Sequence, residues 1–99
     1  MLESVSLRNF MYWDIVEVAP KAGYSLFVRF KDGLEGIVHL GYEQFTGALE
    51  PLRDESFFRQ VFVDDGAVAW PGEIDLAPDA MYAEVRRKQK KAELLVQRP

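Results

Sequence analysis

The segment from Trp70 to Tyr82, with the sequence WPGEIDLAPDAMY, constrains the fold of this chain more than any other. A run of small apolar residues ends at Trp70, and the Pro-Gly pair that follows predicts a turn. Pro78 then predicts the start of a helix, because the first helical turn does not use the N–H group that proline lacks. Acidic residues near Pro78 suit the positive end of that helix. The segment therefore predicts a strand, a turn and a C-terminal helix, and it indicates no chemistry.

The strongest local signal upstream predicts a β-hairpin. Apolar residues alternate with others over residues 24–30, which places Leu26, Val28 and Phe30 on one face of a strand. An Asp-Gly dipeptide, a strong hairpin signal, separates this strand from its partner at residues 34–40. Burial of each of these three side chains stabilises a fold by about 1.5–3 kcal/mol. We therefore expect the C-terminal helix to cover this face.

Further apolar runs predict the remaining elements. Residues 14–19 are rich in β-branched side chains and predict a first strand. Residues 61–63 and 67–70 flank a second Asp-Gly turn and predict a second hairpin. An apolar stripe at three- and four-residue spacing predicts a helix from residue 78 to about residue 97. The expected fold class is α+β, with antiparallel hairpins that form a small sheet covered by a C-terminal helix.

The composition excludes several kinds of site. The chain has 99 residues, enough for one domain. It has no cysteine, which excludes disulfides, thiolate nucleophiles and cysteine zinc sites, and its one histidine, His39, excludes a multi-histidine metal site within one subunit. No apolar run approaches the roughly 20 residues of a membrane span, and the N-terminal residues do not resemble a signal peptide. We expect no membrane association and a cytoplasmic location.

Charge is distributed unevenly along the chain. The net charge is −4, but residues 1–85 hold 15 acidic and 6 basic residues, whereas residues 86–99 hold 6 basic residues and 1 acidic residue. This asymmetry predicts an α+β domain over residues 1–85 and a basic extension of the last helix over residues 86–99.

Three segments form a set of motifs in a fixed order. They are GYSLFVRFKDG at residues 23–33, LEPLRDESFF at residues 49–58 and AVAWPGEIDLAPDAMY at residues 67–82. Together they resemble a small bacterial family, the domain of unknown function numbered 2442, over about residues 14–84. The resemblance implies an α+β domain and a gene layout suggestive of toxin–antitoxin pairs, and it implies no catalytic residues. The family usually has an aspartate where His39 stands, so no role of that aspartate carries over.

The titratable side chains form no catalytic or metal-binding pattern. His39 has no suitable carboxylate or nucleophile beside it on its strand, which favours a surface position over a general base. The carboxylates lack the spacing of a calcium loop and are better explained by turns and helix caps. We therefore expect no enzymatic activity, no cofactor and no metal.

Aromatic residues divide into a core group and a surface group. Trp70, Tyr82 and Phe57 could line a ligand pocket, but their places at element junctions favour the core. Tyr12 and Trp13 precede the first strand in a Phe-Met-Tyr-Trp run. They either fold back as an extra strand or form a contact surface.

The basic segment is the best candidate for binding a partner. Its bases are Arg86, Arg87, Lys88, Lys90 and Lys91. Three interpretations of these bases are open. The bases could form a solvated helix face, bind a nucleic acid by displacing its counterions, or dock on an acidic partner, which could be a second copy of the chain. The acidic remainder of the chain opposes the approach of nucleic acid, and the sequence lacks a complete helix-turn-helix motif.

Apolar residues beyond these bases predict self-association. Leu94 and Leu95, with Val96, lie about 21 Å along the helix from Met81, which is too far to reach the same core. A second copy would shelter them, since twofold dimers are the commonest assembly. We expect a non-enzymatic protein-interaction module that forms a homodimer. We expect this module to be a component of a toxin–antitoxin-like or regulatory pair. A nucleic-acid-binding accessory protein that uses the basic C-terminal helix is the alternative.

Overall fold

Six strands, two α-helices and two 3₁₀ segments make up the part of the chain that the structure describes. This structure is a computed structural model, and it describes the backbone of residues 11–96 and the side chains of residues 11–92. The elements are β1 (Ile15–Lys21), β2 (Ser25–Phe30), β3 (Glu35–His39), 3₁₀ segments at Tyr42–Gln44 and Gly47–Arg53, α1 (Glu55–Phe58), β4 (Phe62–Asp64), β5 (Ala67–Trp70), β6 (Ile74–Asp75) and α2 (Pro78–Val96).

The first sheet contains the hairpin that the alternating pattern predicts. Its strand order is β1-β2-β3, and both pairs are antiparallel. Leu26, Val28 and Phe30 are buried. Gly33 adopts a φ of 98° in the β2–β3 turn, a conformation that glycine adopts without a steric penalty. The prediction of an α+β fold built on this hairpin is confirmed.

The second sheet has three antiparallel strands in the order β4-β5-β6. The hairpin predicted at β4 and β5 is present, whereas β6, which places Ile74 opposite Trp70, was not predicted. Trp70 is buried, and its indole Nε1 donates a hydrogen bond to the carbonyl oxygen of Phe58 at 2.8 Å. Trp70 therefore belongs to the core, as its sequence context indicates.

The two sheets adjoin at the start of β1. The N–H group of Ile15 donates to the carbonyl oxygen of Gly66 at 2.8 Å, which joins β1 to the β4–β5 turn. The buried side chains of both sheets, the middle segment and α2 form a single cluster. Its members are Ile15, Leu26, Val28, Phe30, Val38, Phe45, Leu52, Phe58, Val68, Trp70, Met81 and Val85.

The segment between the sheets is held by one arginine and one tyrosine. Arg53 Nε donates to the carbonyl oxygen of Phe45 at 2.7 Å, and its guanidinium lies 4.8 Å from the centroid of the Tyr42 ring. The Tyr24 hydroxyl donates to the carbonyl oxygen of Arg53. These contacts satisfy backbone groups in a region with little regular structure, and nothing in the sequence pattern indicated them.

The first half of α2 packs on β3 of the first sheet. Met81 and Val85 are buried there. A Cβ atom at Gly36 would lie 2.8 Å from Cγ1 of Val85, so the helix approaches β3 too closely for a larger residue. One turn further on, Lys88 Nζ donates to the carbonyl oxygen of Ile37 at 3.4 Å and lies 3.5 Å from a carboxylate oxygen of Glu84.

The second half of α2 extends beyond the sheet. Every side chain that the structure describes after Val85, through Ala92, is exposed. Ala92 follows Val85 by seven residues and therefore lies on the same stripe of the helix. Its exposure shows that the sheet no longer covers this stripe two turns after Val85.

Candidate partner-binding surface

An open cavity of about 260 Å³ lies beside the first turns of α2. Its lining residues are Tyr12, Trp13, Asp79, Tyr82, Ala83 and Arg86. The cavity therefore brings together two regions that the sequence predicts as contact surfaces, the aromatic pair before β1 and the first base of the basic segment. We refer to it as the aromatic cavity.

Three rings form the wall of the aromatic cavity. The Tyr12 ring lies edge-on to the rings of Trp13 and Tyr82, with centroid distances of 5.0 Å in both pairs. Tyr82 also stacks on the buried ring of Phe30 at 5.0 Å. Edge-on and offset-stacked arrangements are the favoured geometries of aromatic pairs. The wall is therefore anchored to the core through Phe30.

A tight turn positions the aromatic pair before β1. The N–H group of Met11 donates to the Asp14 carboxylate at 3.1 Å, and the N–H group of Asp14 donates to the carbonyl oxygen of Met11 at 2.9 Å. Residues 11–13 are therefore a turn, and the predicted alternative of an extra strand is wrong for them. The Tyr12 side chain is 57% exposed, whereas Trp13 is half-buried.

A hydrogen bond from Tyr82 to Asp32 joins α2 to the β2–β3 turn. The Tyr82 hydroxyl donates to Asp32 Oδ2 at 2.6 Å, while Asp32 Oδ1 accepts from the N–H group of Leu34 at 2.9 Å. The bond from Tyr82 is the main reason why the pKa of Asp32 lies below its ordinary value. The same bond is the main reason why the pKa of Tyr82 is raised. Tyr82 is thus half-buried at the rim of the cavity and fixed from two sides.

The aromatic cavity has an acidic end and a basic end. Asp79 and Arg86 are seven residues apart on α2, which corresponds to two turns and about 10 Å along the axis. Both are exposed, and the small side chain of Ala83 lies between them. Asp79 Oδ1 accepts from the N–H group of Ala80 at 2.9 Å. Within the described part of the chain, neither Asp79 nor Arg86 forms an ion pair.

The other predicted bases lie further along α2 and are all exposed. Lys90 follows Arg86 by one turn and shares its side of the helix, whereas Arg87 and Lys91 lie on a different side. Only Lys88 among these bases has an ion pair with a described residue, at Glu84. Leu94 and Leu95 are on the described backbone of α2, but their side chains lie outside the described residues.

His39 has a partner that the sequence does not reveal. Its Nδ1 atom lies 2.6 Å from Oγ of Ser25, a buried hydroxyl on the neighbouring strand. The β2–β3 register places these residues opposite each other, and a register is not readable from either strand alone. No group of three or more potential metal ligands occurs among the described residues.

Comparison with known protein families identifies the chain. The sequence profile of a family described as protein of unknown function (DUF2442) matches residues 15–87. The match covers both sheets and the first half of α2, and the chain belongs to this family. The predicted resemblance is confirmed. No curated protein and no solved structure matches the chain significantly.

The matched range divides the aromatic cavity. Asp79, Tyr82, Ala83 and Arg86 lie inside residues 15–87, whereas Tyr12 and Trp13 precede them. Among the helices of the described residues, none combines the length and the apolar content that crossing a membrane requires.

Proposed function

We propose that this protein is a non-enzymatic protein-interaction module that forms a homodimer through α2. The supporting observation is the exposure of every described side chain between Arg86 and Ala92 on a helix that continues to Val96. This exposure supports contact with another chain, because the helix continues past the sheet that covers its first half.

The composition of the helix favours a second copy as the partner. The sequence places Leu94 and Leu95 beyond the basic residues, where the same sheet cannot bury them. The acidic excess of residues 1–85 gives a second copy a surface of opposite charge to the helix. Exposed charge pairs contribute little each, so they set the orientation while the leucines supply most of the affinity.

Light scattering on two forms of the protein tests the dimer. The full chain is expected to be dimeric at high micromolar concentration. A form that ends at Val85 keeps every member of the described core cluster and is expected to be a monomer that unfolds cooperatively. A monomeric full chain at that concentration would overturn the proposed function.

A matched pair of variants separates the leucines from the charges. Leu94→Asp combined with Leu95→Asp should abolish the dimer. Lys90→Gln combined with Lys91→Gln should weaken it only slightly, and raised salt should have a similarly modest effect.

At the level of the cell, the proposal is that the dimer belongs to a toxin–antitoxin-like or regulatory pair in a bacterial cytoplasm. The gene layout that the family resemblance implies supports this role. Co-purification of the product of the adjacent gene with the full chain would test it. Loss of that product in the Leu94→Asp/Leu95→Asp variant would show that the pair depends on the dimer.

Nucleic-acid binding is a second candidate because five bases between Arg86 and Lys91 are exposed. A protein that neutralises phosphates shows an affinity that falls linearly with salt on logarithmic axes. Fluorescence anisotropy with a labelled DNA duplex therefore tests this candidate. Binding with a steep salt slope, lost when Lys90 and Lys91 are changed to glutamine, would favour it over the homodimer.

A further inference from the structure

We propose that two copies of the chain pack the exposed face of α2 in antiparallel orientation, and that Arg86 of each copy binds in the aromatic cavity of the other against Asp79. This inference rests on the proposed self-association and names a further contact of the same dimer, which would set the orientation of the two copies while Leu94 and Leu95 supply most of the affinity. The surface consists of Asp79, Tyr82, Ala83 and Arg86 on α2, with Tyr12 and Trp13 beside them.

The charges on this face would pair with the opposite charges of a second copy that is related to the first by a twofold rotation. Asp79 and Arg86 lie at equal distances on either side of the Tyr82–Ala83 peptide. If the twofold axis passes through that point, Asp79 of one copy faces Arg86 of the other, and the contact occurs twice.

The aromatic cavity has the chemistry that binds a guanidinium group. Ring faces attract cations, arginine above all, and a carboxylate accepts two parallel hydrogen bonds from arginine. The cavity combines three rings with the carboxylate of Asp79 in about 260 Å³. Arg86 of the same chain is exposed and forms no ion pair with a described residue, although its charge helps to lower the pKa of Asp32. Its guanidinium is therefore not held by a direct ion pair with any described residue.

The centre of the face permits close packing of two helices. Packed helices lie with their axes 8–10 Å apart, and small side chains at the contact favour the lower end of that range. Ala83 is exposed at this centre, and the rings of Tyr82 and Tyr12 stand beside it. Close approach at Ala83 would bring the side chain of Arg86 within reach of the facing cavity.

Charge exchange between two positions tests the proposed interface in the full chain. Asp79→Arg and Arg86→Asp are each expected to weaken self-association by about tenfold or more, because each places like charges together twice. The double variant Asp79→Arg/Arg86→Asp restores both pairs with the charges reversed and should recover an affinity close to that of the unmodified chain. A mixture of the two single variants should form a heterodimer, although each alone is mainly monomeric. Analytical ultracentrifugation measures all four dissociation constants.

Arg87→Asp is the matched control. It makes the same change of charge one residue away, on a side of α2 that does not line the cavity. It should weaken the dimer by less than about threefold if surface charge alone is affected. Recovery by the double variant cannot result from restored folding, since the double variant still contains the unfavourable Asp79→Arg change at the start of the helix.

The two tryptophans provide a second measurement. Trp13 lines the cavity, so the NMR resonance of its indole N–H reports on the interface. The indole of Trp70 is buried and donates a hydrogen bond to the carbonyl oxygen of Phe58, so its resonance reports on the core. As the protein concentration rises, the Trp13 resonance should shift and the Trp70 resonance should not. The shift should disappear in Arg86→Asp and persist in Arg87→Asp.

The outcomes separate this interface from the proposed function. A dimer that Asp79→Arg does not weaken, or that Arg87→Asp weakens as much as Arg86→Asp, would overturn the interface and leave self-association standing. Failure of the double variant to recover affinity would also overturn it. A full chain that stays monomeric would overturn the proposed function together with the interface.

Discussion

The two halves of α2 share one backbone and have opposite surroundings. From Pro78 to Val85 the helix buries Met81 and Val85 against the first sheet, and from Arg86 to Ala92 all its side chains are exposed. The difference arises from what lies beneath the helix, because an apolar residue, Ala92, still occupies the packing stripe where the sheet no longer covers it. Stability should therefore depend on the first half and association on the surface that leads into the second.

The largest effect on stability is expected from Met81→Ala in the first half. Removal of this buried side chain should lower the free energy of unfolding by about 2–5 kcal/mol, because it leaves a cavity between α2 and the sheets. Urea denaturation followed by circular dichroism measures the loss. Gln89→Ala, in the exposed half, is the control and should change little. A loss at Met81 no larger than that at Gln89 would contradict the division of the helix into two halves.

A smaller effect is expected where α2 approaches β3. Gly36→Ala should cost about 1–3 kcal/mol, since overpacking forces neighbouring atoms apart and the new Cβ would meet Val85. Combining it with Val85→Ala removes the methyl group that stands in the way. The double variant should therefore be less destabilised than the sum of the two single variants, as a double-mutant cycle by urea denaturation would show. Additive losses would place the helix further from β3.

The bond between Tyr82 and Asp32 predicts a modest loss that depends on pH. Tyr82→Phe keeps the stacking on Phe30 and removes the bond, so it should destabilise the protein at neutral pH. Because the folded pKa of Asp32 is lowered, its contribution is present above its unfolded value of 3.8 and is lost as the pH falls through the folded pKa. Because the folded pKa of Tyr82 is raised, its contribution is present below 10.0 and is lost as the pH rises through the folded pKa.

The difference in unfolding free energy between the unmodified chain and Tyr82→Phe should therefore be constant from about pH 5 to 9. It should decrease below and above this range. Urea denaturation at a series of pH values measures it. If the difference in unfolding free energy is the same at pH 3 as at pH 7, the hydrogen bond between Tyr82 and Asp32 does not contribute to stability.

The smallest effect is expected in the exposed half of the helix. Arg87→Ala and Lys91→Ala should each change the free energy of unfolding by no more than about 0.5 kcal/mol, as is usual for surface positions away from caps and buried networks. Thermal unfolding of the two variants would check this. A loss above about 1 kcal/mol would indicate that this half of the helix packs on something in the same chain.

The hairpins could be predicted because their signals are local. The alternation of Leu26, Val28 and Phe30 and the Asp-Gly turn after them are sufficient for β2 and β3. The strand β6 has only two residues and is held by its pairing with β5, so no local pattern indicates it. Tertiary pairing, which the sequence does not display, decides such short elements.

The candidate site could be predicted residue by residue but not as an assembly. Tyr12, Trp13 and Arg86 each stand out, by aromatic clustering or by charge. These residues line one cavity because of the path that the chain takes through both sheets. The spacing of residues in the sequence does not indicate that path. Asp79 was missed for a different reason, since a carboxylate at the start of a helix is fully explained by the helix dipole. The binding role that we propose for Asp79 rests on its position in the cavity, at the other end from Arg86.

Lys88 restricts the kinds of assembly that this chain can enter. Within the described residues, β3 is an outer strand, and an uncovered outer strand offers a template for strand-by-strand polymerisation into fibrils. Lys88 places a cation over this edge and donates to the carbonyl of Ile37, where an incoming strand would have to bind. Strand addition would have to displace that bond and move the side chain of Lys88, which also forms an ion pair with Glu84. The helix that we propose as the dimer contact thus also opposes unlimited growth at the edge of the sheet.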